Sequence, residues 1–361
     1  MNHPHRLELV ALSLCLAFDA AAAPPVRAKA VIENLPALYE AVAPAVVKIE
    51  VLAGPGMTGV GSGVLIHANG FVVTAAHVVE SAVAIHVTFE GVGVRDAVVA
   101  TLSRTEDLAL LKVDNPPKGV SVPALGDSAK LEVGEAVFAV GAPLGLEHTL
   151  TTGNISAIRN DFGSELSFYP RHVIQTDAAL NQGNSGGAVF NSRGEVIGIV
   201  SFIATPSHGS VGLGFAIPSN SVRRRLFEDA IPDIGVSLRR IPKPLAEVLN
   251  WPVNGALLVE NVRPGTPAAE AGLKGGGIEA EVGGIPLSLG GDLIIKVGPY
   301  DMADGAKIHA YLHSLKSGES IPYTILRAGR PVEINVTVDK LIDIPQLPPL
   351  PSDRSGPHKK T

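Results

Sequence analysis

Between about residue 40 and residue 218 the chain repeats one pattern, short apolar runs broken by Gly, Asn or Pro. Such runs cannot build long helices, and their spacing points to a sandwich or barrel of short strands. The clearest pair is Val60–Ile66 and Phe71–Ala75, which flank Asn69-Gly70. That dipeptide marks a hairpin, because a tight two-residue turn asks for positive φ at both central positions. Val137–Val140, Val173–Gln175, Ala188–Phe190 and Val196–Val200 read as further strands. Composition agrees: 39 Gly, 28 Pro and only 4% aromatic residues describe a turn-rich β protein, and 46% hydrophobic residues in 361 suffice for two domains. The character changes at 219–228, where Ser219 or Asn220 is placed to cap a short closing helix. The one basic cluster, Arg223-Arg224-Arg225, reads as a solvated face of that helix, and a net charge of −6 argues against a nucleic-acid partner.

A second unit spans about 234 to 340 and mixes strands with two helices. Ala256–Val259 and Leu293–Val297 are strands, and Thr266-Pro267 opens a short helix that ends at Gly272. Ile308, Leu312 and Leu315 share one helical face, with Gly318 as the stop. Tyr323–Leu326 and Val332–Val338 form a hairpin around Ala328-Gly329. The Pro-rich stretch 341–361 reads as a disordered tail. At the other end, His5 and Arg6 precede an apolar stretch, Leu9 to Phe18, and the small residues Ala20 to Ala23. Residues 1–23 therefore read as a signal peptide, too short to span a bilayer, which needs about 20 apolar residues. The sole cysteine, Cys15, lies inside it, so cleavage leaves a chain without disulfides and without an integral membrane segment.

The run Gly183-Asn184-Ser185-Gly186-Gly187 carries the chemical argument. A serine hydroxyl attacks a carbonyl only when a base takes its proton, and the product oxyanion needs fixed donors. Glycines around Ser185 let the backbone turn tightly, so that the Gly183–Asn184–Ser185 loop forms an oxyanion hole with the N–H groups of Gly183 and Ser185 as donors. By itself the run is a moderate signal. Two segments upstream strengthen it: His77 in TAAHVV after a strand, and Asp107 in EDLALLKV before one. The order His–Asp–Ser is that of trypsin-like double barrels, with His77 as general base and then acid, Asp107 orienting it, and Ser185 as nucleophile.

At these residues the chain resembles the HtrA family of trypsin-like serine proteases. The matching runs are GSGVLI (61–66), VVTAAHVV (72–79), DLALLKV (107–113), VGAPLGLEHTLTTGNISA (140–157), QTDAALNQGNSGGAVF (175–190) and GLGFAIPSN (212–220). The resemblance implies a mainly β fold: a chymotrypsin-like double six-stranded β-barrel protease domain over 32–230, then a PDZ domain, a β-sandwich with two helices, over 234–340. It implies serine-type endopeptidase activity with no metal or nucleotide cofactor.

Leu180 and Val211 match positions that line the specificity pocket in relatives. Asp177 lies eight residues before Ser185, whereas the trypsin-type acid lies six before, which here is Ala179. Cleavage after small or medium aliphatic residues is therefore expected, not after Lys or Arg. Ile234-Gly235-Val236 matches the PDZ loop that receives a peptide's terminal carboxylate beside a strand-adding groove. Departures are Gln182 in place of Arg or Pro, a short early loop at Leu52–Gly59, and a Gly-rich insert at 274–290. Trp251 and Tyr300 read as packing residues, and His67, His86, His148, His172 and His208 show no metal-ligand spacing.

The same resemblance implies an exported, periplasmic, ATP-independent enzyme of protein quality control, assembled as a trimer or a multiple of it. Its partners would be unfolded polypeptides and peptide C-termini, with Glu165–Tyr169 in the sensor-loop position. Two alternatives share the residues: a regulatory protease switched on by a peptide for one substrate, and a chaperone-type binder with the protease held inactive.

Overall fold

Alternation decides the strands. In Ala84–Phe89 the residues Ile85, Val87 and Phe89 are buried while their neighbours face outward, and in Ser320–Arg327 the same holds for Ile321, Tyr323 and Ile325. The fold is that of a computed structural model. It describes residues 32–54, 57–142, 148–162, 170, 172–203, 210–231, 233–241, 243–253, 255–282, 285–316, 318–338, 342 and 344–351. The expected signal peptide, Glu165–Tyr169 and His208 lie outside them.

After helix α1 (Leu35–Val42), six strands close a first barrel: β1 (Val46–Gly54), β2 (Met57–His67), β3 (Phe71–Thr74), β4 (Ala84–Phe89), β5 (Gly93–Ser103) and β6 (Leu108–Val113), in the order β1-β2-β3-β6-β5-β4. The short helix α2 (Ala76–Val79) follows β3. A second closed barrel has the order β10-β11-β12-β9-β8-β7, built from β7 (Ala136–Gly141), β8 (Thr149–Arg159), β9 (Val173–Thr176), β10 (Ala188–Asn191), β11 (Val196–Ile203) and β12 (Gly214–Pro218). Closure leaves no sheet edge open to aggregation. The Asn69-Gly70 turn joins β2 to β3 as an antiparallel pair, but the turn spans three residues, 68–70, and only Gly70 takes positive φ (83), its N–H donating to the His67 carbonyl at 3.0 Å. Phe138 and Phe190 stack at 5.1 Å from adjacent strands of the second barrel, each burial contributing about 1.5–3 kcal/mol.

The second unit holds a sheet in the order β13-β14-β17-β19-β20, made of β13 (Val236–Ile241), β14 (Ala256–Val262), β17 (Leu293–Val297), β19 (Ser320–Arg327) and β20 (Arg330–Thr337). Strand β18 (Tyr300–Asp301) pairs with β17. The insert folds as a separate hairpin, β15 (Ile278–Val282) with β16 (Ile285–Leu289). Helices α4 (Lys243–Val248), α5 (Pro267–Glu270) and α6 (Gly305–His313) complete the unit, one more than expected. Thr266 and Pro267 open α5 as expected, and Ile308, Leu312 and Leu315 all pack on one core although Leu315 lies beyond the end of α6. Ala328 and Gly329 take φ 48 and 75, the double positive turn whose twist matches its strands. Trp251 and Tyr300 pack against hydrophobic clusters.

Three expectations are corrected. Helix α3 (Ser219–Arg223) is preceded by Pro218 at the cap position, and neither Ser219 nor Asn220 caps it. The Ser219 hydroxyl donates to the Gly126 carbonyl, and the Asn220 amide bridges Ser128 N–H and Asp127, so both side chains serve a tertiary joint. The basic cluster is not simply solvated. The chain continues α3 as a π-type turn over Arg224–Glu228, where Arg225 pairs with buried Glu106 at 3.3 Å. Arg223 donates to the Pro348 carbonyl at 2.6 Å. The tail is not wholly disordered, because Ile342, Ile344, Leu347 and Leu350 lie partly buried against the first unit's core. Apolar side chains spaced along a Pro-rich strand can cover a surface without forming helix or sheet.

The barrels meet at Ser62, a residue of β2 with no exposed surface. Its hydroxyl donates to the Gly183 carbonyl (2.7 Å) and accepts from Ala142 N–H (2.8 Å). Its N–H donates to the Ser185 carbonyl (2.8 Å), and its own carbonyl accepts from the Thr74 hydroxyl (2.7 Å). Gly186, at φ 84, passes so close that a Cβ would lie 2.1 Å from the Ser62 carbonyl and 2.2 Å from the Thr74 hydroxyl. Ser62→Ala strands a buried carbonyl and a buried N–H, so it should lower unfolding free energy by about 1–3 kcal/mol in urea titrations. Gly186→Ala should cost more than Ser62→Ala, since backbone atoms must move to admit the methyl group.

Candidate active site

His77 sits in α2, the single turn that follows β3. Ala76 and Val79 of that turn are buried, which leaves the His77 side chain facing out with 45% of its surface exposed. Asp107 ends a tight turn in which its N–H donates to the Arg104 carbonyl at 3.1 Å, and it takes φ 51 just before β6. Aspartate tolerates this left-handed conformation better than most residues. Its Oδ1 accepts from the His77 backbone N–H at 3.0 Å, and both carboxylate oxygens lie 3.0 Å from His77 Nδ1. The Ser201 hydroxyl donates a short hydrogen bond to Asp107 Oδ2. With Nδ1 facing the carboxylate, Nδ1 carries the proton and Nε2 is left as the basic nitrogen. Burial pulls the His77 pKa down, but the hydrogen bond and charge of Asp107, aided by Glu80, outweigh it and raise the pKa above the ordinary 6.5.

Ser185 lies on the loop between β9 and β10. Its hydroxyl donates to the Ser201 carbonyl at 3.2 Å, and no hydrogen bond joins it to His77. Gly183 takes φ 96, and among the described residues neither the Gly183 N–H nor the Ser185 N–H has a hydrogen-bond partner. Asn184, the middle residue of the expected oxyanion loop, is not one of its free donors. Its N–H donates to the Asn181 carbonyl at 3.0 Å, so it is not available to an oxyanion. Gly187 is required for the same reason as Gly186, since a Cβ there would stand 2.7 Å from the Val140 carbonyl.

The expected pocket residues have different settings. Leu180 is fully buried in the core of the second barrel with Ile155, Ile174 and Val189, whereas Val211 is 54% exposed. Asp177 accepts from the Asn154 N–H at 2.6 Å, an attachment to β8. In the second unit, Ile234 is buried, Val236 opens β13, and β13 is the edge strand of its sheet. The Gly235 N–H already donates to Asp233 Oδ1 at 3.0 Å, and Asp233 is in turn paired with Arg263.

Two residues of the site escaped the sequence reading. Ser62 lay within the GSGVLI run with no role attached, and Ser201 lay just past the strand expected over 196–200. Each earns its role from partners more than 15 residues away in the chain, Gly183 and Ser185 for one, Asp107 and Ser185 for the other. A buried serine between two glycines was the only local sign of the first.

Residues 61–199 match the family model of the trypsin-like peptidase domain, and residues 232–338 match that of the PDZ domain. The chain is 34% identical over 364 residues to the periplasmic pH-dependent serine endoprotease DegQ of Escherichia coli K12, covering 91% of this chain and 76% of that protein. It is 34% identical to the periplasmic serine endoprotease DegP of Salmonella typhimurium LT2, covering 78% of this chain and 57% of that one. Among solved structures it is similar to an HtrA-type protease AlgW with tripeptide, at 31% identity, 83% of this chain, 95% of that chain and a TM-score of 0.48. Two closed six-stranded barrels, a PDZ unit behind them and this degree of identity to named endoproteases leave one assignment: the chain belongs to the HtrA family of trypsin-like serine endoproteases, with one C-terminal PDZ domain.

Proposed function

We propose that the chain is an ATP-independent serine endopeptidase of envelope protein quality control, cleaving unfolded polypeptides with His77, Asp107 and Ser185. The observation that carries the reading is the His77–Asp107 pair, 3.0 Å apart, beside a glycine loop whose Gly183 and Ser185 N–H groups have no partner among the described residues. A substrate carbonyl with its oxygen toward those two donors is attacked by Ser185 Oγ as His77 Nε2 takes the hydroxyl proton. The tetrahedral oxyanion is held by the two N–H groups, and His77 then passes its proton to the leaving amine. Water repeats the sequence on the acyl-enzyme, and Asp107 stays ionised throughout. The family resemblance at Leu180 and Val211 favours a small or medium aliphatic residue before the cut, although Leu180 itself is packed in the second barrel's core. The periplasmic names of DegQ and DegP support an exported location. The PDZ edge strand β13 supports binding of peptide C-termini by strand addition at Ile234–Val236, and a trimer or its multiple is the expected assembly.

A second reading, a protease switched on by a peptide, is favoured by two specific contacts. The Ser185 hydroxyl points to the Ser201 carbonyl instead of His77, and the Gly235 N–H is occupied by Asp233. Both must change for peptide-dependent turnover, and a peptide carboxylate displacing Asp233 is one way to begin.

Turnover of unfolded casein should fall by at least about 10³-fold in Ser185→Ala; equal turnover by this variant would overturn the assignment. Casein cleavage that appears only with an added C-terminal peptide would select the regulated reading. Because neutral His77 is the working base and its pKa is raised, kcat/KM should drop as pH falls through a value above 6.5. Asp107→Asn removes the larger of the influences that raise it and leaves only Glu80, so the acid limb should move to lower pH while kcat falls by about 10⁴-fold. The linked stability has the opposite sense: the His77–Asp107 pair adds stability fully below pH 6.5 and loses it as pH rises through the folded value.

A further inference from the structure

A cavity of about 750 Å³ lies between the barrels and the PDZ unit, and it begins at the catalytic pair. Its barrel-side wall includes His77, Asp107, Ser201 and Phe202, and its far wall includes Arg240, Glu279 and Ser288. Ser185 does not line it, but Ser201 does, and the Ser201 carbonyl accepts from the Ser185 hydroxyl, so the space adjoins the Ser185 loop. Most charges there are already matched. Arg104 pairs with Glu80 at 2.8 Å and with Glu260 at 3.2 Å, and Glu260 also accepts from Arg239 at 3.2 Å. Arg240 and Glu279 are both exposed, and neither has an ion-pair partner among the described residues.

Glu279 stands on the β15–β16 hairpin, the insert without a role so far. The base of that hairpin is fixed. Gly276 N–H donates to the Val259 and Glu260 carbonyls at 3.1 and 3.0 Å. A Cβ on Gly276 would lie 2.1 Å from the Ser288 carbonyl, so the two arms cross too closely for any side chain. Buried Asp292 accepts from Lys274 N–H at 2.8 Å and pairs with Arg327 at 2.6 Å. A hairpin anchored in this way presents its side chains at a set place, as a specificity wall requires.

We propose that the PDZ unit supplies part of the protease's own substrate cleft, and that Glu279 and Arg240 read the charge of substrate residues flanking the scissile bond. Glu279 favours a basic residue at the position that reaches it, and Arg240 favours an acidic residue at another. This rests on the protease reading above, and it assigns to the insert a role distinct from peptide capture at Ile234–Val236.

The test uses the full chain and internally quenched peptides with an aliphatic residue at the cut and Lys or Glu at each flanking position in turn. In Glu279→Lys the Lys-to-Glu ratio of kcat/KM should fall by about fivefold or more at one position. Glu279→Gln should fall part of the way, and Arg240→Glu should raise the ratio at a different position. The shifts should shrink as salt rises from 50 to about 500 mM. Ratios within twofold of wild type in all three variants, or a uniform loss on Lys and Glu peptides alike, would overturn the proposal and leave the protease reading intact. Absence of any Ser185-dependent cleavage by the wild type would sink both.

Discussion

The joint made by Ser62 is what the rest of the site depends on. A strand of the first barrel delivers a buried hydroxyl and backbone to the Ser185 loop of the second, while the histidine and aspartate ride on elements of the first. Each barrel closes on itself and would be satisfied alone. Only the contacts across the junction set the distance between nucleophile and base. Rigid β structure on both sides confines that distance, and the Gly186 backbone fits against Ser62 with no room for a side chain. The reaction needs placement to a fraction of an ångström, and three hydrogen bonds of Ser62 cross the junction, to Gly183, Ala142 and Ser185, alongside the bond from Ser201 to Asp107.

The arrangement in the structure differs from the one the proposed reaction needs. The nucleophile's hydroxyl satisfies the Ser201 carbonyl, whereas Asp107 already holds His77 from two directions. His77 is thus already held for the proposed reaction, while the Ser185 hydroxyl is engaged elsewhere. The Ser185 hydroxyl meets the Ser201 carbonyl here, whereas the proposed reaction needs it at His77 Nε2. The PDZ loop tells a similar story, with Asp233 on the Gly235 N–H and Arg263 as its counter-charge. In both places an internal group holds the position that a ligand group is proposed to take.

Much of this was legible in the sequence, for reasons that differ by feature. The strands were legible because alternation and glycine turns act locally, as at Asn69-Gly70 and Ala328-Gly329. His77, Asp107 and Ser185 stand out in the sequence because each sits in a local run shaped by its own turn, and the structure sets His77 against Asp107. Ser62 and Ser201 do not stand out, since their roles exist only once distant segments meet. The helix cap was misread for the same reason: Ser219 and Asn220 have the chemistry of caps, but a neighbouring loop at Gly126–Ser128 offers partners and Pro218 takes the position before the helix. The sequence shows the Gly183–Asn184–Ser185 loop but not that its middle N–H is used up by the Asn181 carbonyl. The tail misled through its proline content, which excludes helix and sheet but leaves Ile344, Leu347 and Leu350 free to pack on a ready-made surface.

The central claim is that Ser185 becomes a nucleophile through His77. It is tested most directly by treating the full chain with a fluorophosphonate during casein turnover and mapping the adduct by mass spectrometry. The account predicts one phosphonylated serine, Ser185, with labelling lost in His77→Ala. Continued casein turnover with Ser185 unlabelled, or labelling of Ser185 undiminished in His77→Ala, would contradict it.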